Sequence, residues 1–318
     1  MAYSYDPQIA SALAGGSKNA PPKRGDWKSL RHNFNCLLER CLKAHAGLGR
    51  SNVTTTRHEI VAADGASLEV RWYKNAELNP GSAVVYLHGG GMICGNLDIY
   101  DPLISSYVAT TGVPMLAVEY RLAPEHPHPV PVEDSYAGLR WLIDNAEKLG
   151  VNPARIAVMG DSAGGGLTAG VALLARDRGL ALARQIMIYP MLDDRNTISD
   201  ETLAPFAIWT YDYNFTGWNA LLDKDLGTDN VLPSAAPSRA KNLIGVAPAY
   251  IEVGELDIFR NEDIDYARRI ACAGISMELH VHAGAPHAFD LIAPHSDLVQ
   301  RCMADRARVL KALGAVAR

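Results

Sequence analysis

Apolar and polar positions change period several times along the chain, and the changes mark its elements. Within Asp26–His45, Leu30, Phe34, Leu37, Leu38, Cys41, Leu42 and His45 recur at helical spacing and predict an amphipathic helix. From Val53 the period shortens. Val53–Ala62 and Ser67–Tyr73 alternate on either side of Asp64-Gly65, which predicts a hairpin. Short apolar runs then predict buried strands at Ala83–Leu87, Met115–Glu119, Ile156–Met159, Gln185–Tyr189, Ala249–Val253 and Met277–Val281. Helical patterns separate them at Pro102–Thr110, Pro131–Leu149, Ala163–Leu174, Glu262–Ala273 and Leu298–Leu313. Gly15–Pro22 reads as loop. The prolines of Tyr120–Pro129 remove donors and hold their neighbours extended, so no regular element is expected there.

An antiparallel start followed by βαβ alternation predicts an α/β fold: one eight-stranded, mostly parallel sheet with helices on both faces. Two stretches lie outside that plan. One is the N-terminal segment, residues 1–50. The other is an insertion at about 193–235, rich in aromatics (Phe206, Trp209, Tyr211, Tyr213, Phe215, Trp218) with a helix expected at 214–223. The main domain is expected to span 51–318. At 318 residues and 48% hydrophobic, the chain is long enough for one large core.

Charge narrows the partners. The net charge of -5 and the lack of a Lys/Arg run argue against nucleic acid. No stretch approaches a membrane span, and Met1–Asp6 has no basic n-region before an apolar core. The five cysteines are odd in number and scattered, which suits free thiols and a cytoplasmic location. They lack metal-type spacing, and there is no H-E-x-x-H, so no metal is expected.

Candidate chemistry centres on Gly160-Asp161-Ser162-Ala163-Gly164, which fits G-x-S-x-G between a predicted strand and a predicted helix. A serine there is exposed on a cramped turn, and the free N–H groups of the helix start face the reacting atoms. A hydroxyl is a weak nucleophile and needs a base, an orienting acid and oxyanion donors. His287 follows the last strand and is the candidate base. His280 and His282, two apart on a strand, share a face and read as structural or surface residues. Asp257 follows the preceding strand in the order Ser, Asp, His; Glu255 is its rival. His88-Gly89-Gly90-Gly91 closes another strand, and Gly89 and Gly90 with Ala163 are the expected oxyanion donors.

Together these residues resemble the hormone-sensitive-lipase-like family of α/β-hydrolase esterases. The likeness runs from about His88 to Phe289 and includes Tyr120-Arg121-Leu122-Ala123-Pro124-Glu125 with Asp134. It implies an eight-stranded hydrolase sheet, and a cap built from the N-terminal segment and the later insertion. It also implies hydrolysis of short- to medium-chain carboxylic esters without a cofactor. The position after the glycine run is often aromatic in that family and is Met92 here, which bears on the pocket wall. Met92, Phe206, Trp209 and Tyr211 are the expected pocket residues. The same triad could act on a lactone, carbonate or amide. A non-catalytic receptor, as in the plant gibberellin receptors that resemble this family, would be expected to lack a triad member, and none is missing. Whether the chain pairs as a homodimer is left open.

Overall fold

Each apolar run becomes a strand of one sheet in the computed structural model, which describes residues 3–14, 21–43 and 52–314. The strands are β1 (Val53–Val61), β2 (Ser67–Asn75), β3 (Ala83–Leu87), β4 (Met115–Val118), β5 (Ile156–Asp161), β6 (Arg184–Ile188), β7 (Ala249–Gly254) and β8 (Met277–His282). They lie side by side in the order β1-β2-β4-β3-β5-β6-β7-β8. The hairpin β1–β2 and the β2–β4 pair are antiparallel, and the remaining pairs are parallel. β3, β4, β5 and β7 are buried along their whole length. Sheets covered on both faces read as continuous apolar runs for this reason.

The strand period sorts the two layers. Val84, Tyr86, Met115 and Ala117 pack with helices α3 (Leu97–Thr111) and α10 (Asp297–Ala312). Their sequence neighbours Val85, Leu87, Leu116 and Val118 face the opposite way, toward α4 (Val130–Asp144) and α6 (Ala163–Asp177). Helix α8 (Arg260–Cys272) continues that second layer, with Tyr266 and Ile270 against Met187 and Ile251.

Helix limits depart from the pattern at several places. α3 begins more than a turn before Pro102, because the Asn96 side chain caps the Ile99 amide at 2.9 Å. Pro102 is tolerated inside a helix with an extensively buried face. The expected helix Pro131–Leu149 divides at Asn145 into α4 and α5 (Ala146–Leu149), and the Asn145 amide donates back to the Trp141 carbonyl at 2.9 Å. The N-terminal amphipathic helix is α2 (Trp27–Leu42). Its expected end at His45, and Gly15–Ala20 of the expected loop, lie outside the described residues. Two short helices, α1 (Pro7–Leu13) and α9 (Phe289–Ile292), carry too little periodic signal to predict.

Between β6 and β7 the described chain forms no strand. It carries short 3₁₀ turns and α7 (Tyr211–Leu222), which starts a turn earlier than expected because Thr210 caps the Tyr213 amide. α2 packs on this insertion. Phe34 sets its ring edge-on to both Trp209, at 5.0 Å, and Tyr213, at 5.5 Å.

Candidate active site

Ser162 occupies the sharp corner between β5 and α6 with φ 53° and ψ −118°, a conformation costly for any residue with a Cβ. The corner closes because Gly164 lies directly under the carbonyls of Leu87 and His88, where a Cβ could not fit. The serine amide is anchored to the Ile188 carbonyl of β6 at 2.8 Å.

His287 comes from the loop after β8 and Asp257 from the turn after β7. Ser162 Oγ lies 2.9 Å from His287 Nε2, and His287 Nδ1 lies 2.6 Å from Asp257 Oδ2. The other Asp257 oxygen accepts the Phe259 amide at 3.0 Å. All three side chains are buried; the carboxylate is wholly so. Glu255 turns elsewhere and accepts the Gly284 amide at 3.0 Å, bracing the loop that carries His287. The imidazole is held edge-on by two rings, Tyr189 at 4.8 Å and Phe259 at 5.0 Å. Phe259 stands two residues after Asp257 on the same turn, whereas Tyr189 comes from the end of β6.

Beside the serine, the His88–Gly91 run leaves β3 as a glycine-rich turn. Among the described residues the amides of Gly89, Gly90 and Ala163 have no protein acceptor. His88 is fully buried, stacked on Tyr120 at 4.3 Å, and burial pushes it down to about 4, so it is neutral. Its Nδ1 lies 2.8 Å from the Gly89 carbonyl, which places the proton on Nδ1 and makes His88 a brace for the loop. Asp161 is the second brace. Its carboxylate accepts the hydroxyls of Tyr86, at 2.8 Å, and Tyr100, at 2.9 Å, against Gly89. Burial raises Asp161 to about 6 against the pull of those hydroxyls.

A family model described as the alpha/beta hydrolase fold matches residues 84–291, more than half of the chain. The chain belongs to the α/β-hydrolase family. It is related to the hormone-sensitive-lipase-like bacterial esterases. Carboxylesterase NlhH of Mycobacterium tuberculosis is 38% identical over 223 residues, which is 66% of this chain and 68% of the relative. Ethyl acetate hydrolase of Pseudomonas putida is 34% identical over 247 residues, 72% of this chain and 74% of the relative. Among solved structures, a bacterial heroin esterase superposes with a TM-score of 0.88 at 33% identity, covering 98% of this chain and 99% of that one.

In this hydrolase the proline-rich loop after β4 is pinned by ion pairs. Arg121 clamps buried Asp134 through Nε at 2.9 Å and Nη2 at 2.7 Å, and Arg31 of α2 holds Glu125 through both carboxylate oxygens. Arg31 Nε also reaches the Ile93 carbonyl, which ties the N-terminal segment to the turn after the glycine run.

The four expected pocket residues fall in different surroundings. Met92 is buried in the core at φ 64°, and its carbonyl accepts the Ala123 amide. Tyr211 is buried at the start of α7. Phe206 is half-buried against the Tyr5 ring, at 5.2 Å. Trp209 is buried between the glycine run and α2, and a Cβ at Gly91 would collide with its indole. On its other side Phe34 and Tyr213 line a cleft of about 370 Å³, together with Leu37 and Ile208.

No helix among the described residues is long and apolar enough to cross a membrane. All five cysteines are free thiols.

Proposed function

We propose that the protein is a serine carboxylesterase that hydrolyses short- to medium-chain esters through an acyl-enzyme. The observation that carries this reading is the unbroken relay from Ser162 Oγ through His287 to Asp257, at 2.9 and 2.6 Å. The activities named for its relatives, carboxylesterase and ethyl acetate hydrolase, support the same reaction class.

In this reading Ser162 Oγ attacks the ester carbonyl carbon as His287 Nε2 takes the hydroxyl proton. Asp257 holds Nδ1–H and stabilises the imidazolium. The carbonyl oxygen becomes an oxyanion facing the amides of Gly89, Gly90 and Ala163. The C–O bond to the alcohol breaks, and His287 gives its proton to the departing oxygen. Water then repeats the sequence on the acyl-serine, releasing the acid and restoring the serine proton. The edge-on rings of Tyr189 and Phe259 keep the imidazole plane fixed between its two partners.

The N-terminal segment and residues 193–235 form the cap of this reading. Support comes from Phe34 on Trp209 and from the Arg24–Asp212 ion pair at 3.1 Å. In this reading Trp209, whose indole closes on Gly91 of the glycine run, limits the room for the acyl chain. A cytoplasmic location is proposed from the free thiols.

The test is covalent capture. A fluorophosphonate should add one phosphonyl group per chain, and mass spectrometry should place it on Ser162, with loss of p-nitrophenyl butyrate turnover in step. Labelling at another residue, or full turnover by the labelled protein, would overturn the reading.

A further inference from the structure

Three side chains of ligand type converge from three separate elements outside the triad. Glu252 lies on β7, His282 ends β8, and Cys302 lies on α10. His282 Nε2 is 3.9 Å from Glu252 Oε2 and 3.3 Å from Cys302 Sγ. One ligand atom from each lies within 4.8 Å of the others. Such separations suit the edges of a tetrahedron whose centre is about 2.0–2.3 Å from N, O and S donors.

The surroundings orient these groups. Tyr250 donates its hydroxyl to Glu252 Oε2 at 2.6 Å, and Arg306 Nε donates to Glu252 Oε1 at 2.8 Å. The His282 ring is parallel to His280 at 5.9 Å and packs on Phe289 at 5.4 Å. Outer contacts of this kind fix the direction of a metal ligand. The His282 side chain is 17% exposed, which leaves an approach from solvent.

Arg306 is shared between two buried carboxylates, Glu252 and Asp290, the latter at 2.6 Å. A bound divalent ion takes a cysteine ligand as the thiolate and displaces its proton to solvent.

We propose that Glu252, His282 and Cys302 form a site for a thiophilic divalent cation, of which Zn²⁺ best matches the mixed O, N and S donors. Solvent supplies the fourth position. The ion would link β7, β8 and α10, three separate elements, and so stabilise the fold. Magnesium, which needs an octahedral oxygen shell, does not fit.

The test is a Zn²⁺ titration of the metal-stripped full-length protein, read by bound stoichiometry and by thermal midpoint. The wild type should bind one equivalent and melt higher, because a ligand of the native state shifts unfolding. Cys302→Ser and His282→Asn should lose that equivalent, with affinity lower by more than about tenfold. Cys36→Ser and Cys272→Ser, which remove exposed thiols, should retain it. Mg²⁺ should move nothing. If Cys302→Ser fails to fold, His282→Asn decides. A wild type that binds no Zn²⁺, or equal binding by wild type and His282→Asn, overturns the site.

Discussion

The indole of Trp209 closes over Gly91, so the last glycine of the run beside Ser162 has no room for a side chain. The insertion between β6 and β7 is thereby in direct contact with the turn expected to hold the oxyanion. The same indole meets the rings of Phe34 and Tyr213 edge-on, at 5.0 and 5.9 Å. Trp209→Ala should shift the acyl-chain optimum upward, each added methylene gaining up to about 1 kcal/mol. It should also cost about 3–5 kcal/mol of stability, as buried Trp truncations do. The measurement is kcat/KM over a p-nitrophenyl ester series, alongside thermal unfolding. An unchanged optimum in a folded variant would assign Trp209 to packing alone.

Asp257 and Glu255 leave the same turn and make different contacts. Asp257 meets His287, whereas Glu255 meets the Gly284 amide. Asp257→Asn should lower kcat by roughly 10⁴-fold, because an amide leaves the imidazole in the wrong tautomer. Glu255→Gln keeps an acceptor for Gly284 and should cost little. Steady-state kinetics of the two variants decide between them, and a reversed order of severity would move the acid to Glu255.

Asp161 gives a pH dependence of stability. Its folded value of about 6, raised by burial, exceeds the unfolded value of roughly 3.9. The folded state therefore holds a proton that the unfolded state has released between those limits. The contribution is fully present below about pH 4 and is lost as pH rises through 6. Its size is on the order of 3 kcal/mol. Denaturant unfolding of wild type and Asp161→Asn at pH 4 and pH 7 checks this. Relative to the variant, the wild type should be less stable at pH 7 than at pH 4. A constant difference would show that Asp161 does not titrate in that window.

Legibility in the sequence followed locality. Ser162, its flanking glycines and the His88 run are contiguous, and sterics allow few alternatives at such turns, so they could be read directly. The strands were equally open, because burial on both faces leaves continuous apolar runs. Helix limits were not. Pro102 read as a start, although Asn96 caps the helix upstream. The Tyr189 ring on His287 and the Glu252–His282–Cys302 cluster are brought together by separate elements, which no spacing rule reaches, whereas Phe259 stands two residues after Asp257 on the same turn. His282 read as structural or surface because its partners become neighbours only when β7, β8 and α10 are assembled.

Whether Ser162 is the nucleophile is decided by the turnover of Ser162→Ala. The hydroxyl meets His287 Nε2 at 2.9 Å from a strained corner that the alanine can keep. With p-nitrophenyl butyrate, kcat should fall about 10⁴- to 10⁶-fold while the thermal unfolding curve stays close to that of the wild type. A folded Ser162→Ala protein that turns over ester at near the wild-type rate would mean that another group is the nucleophile.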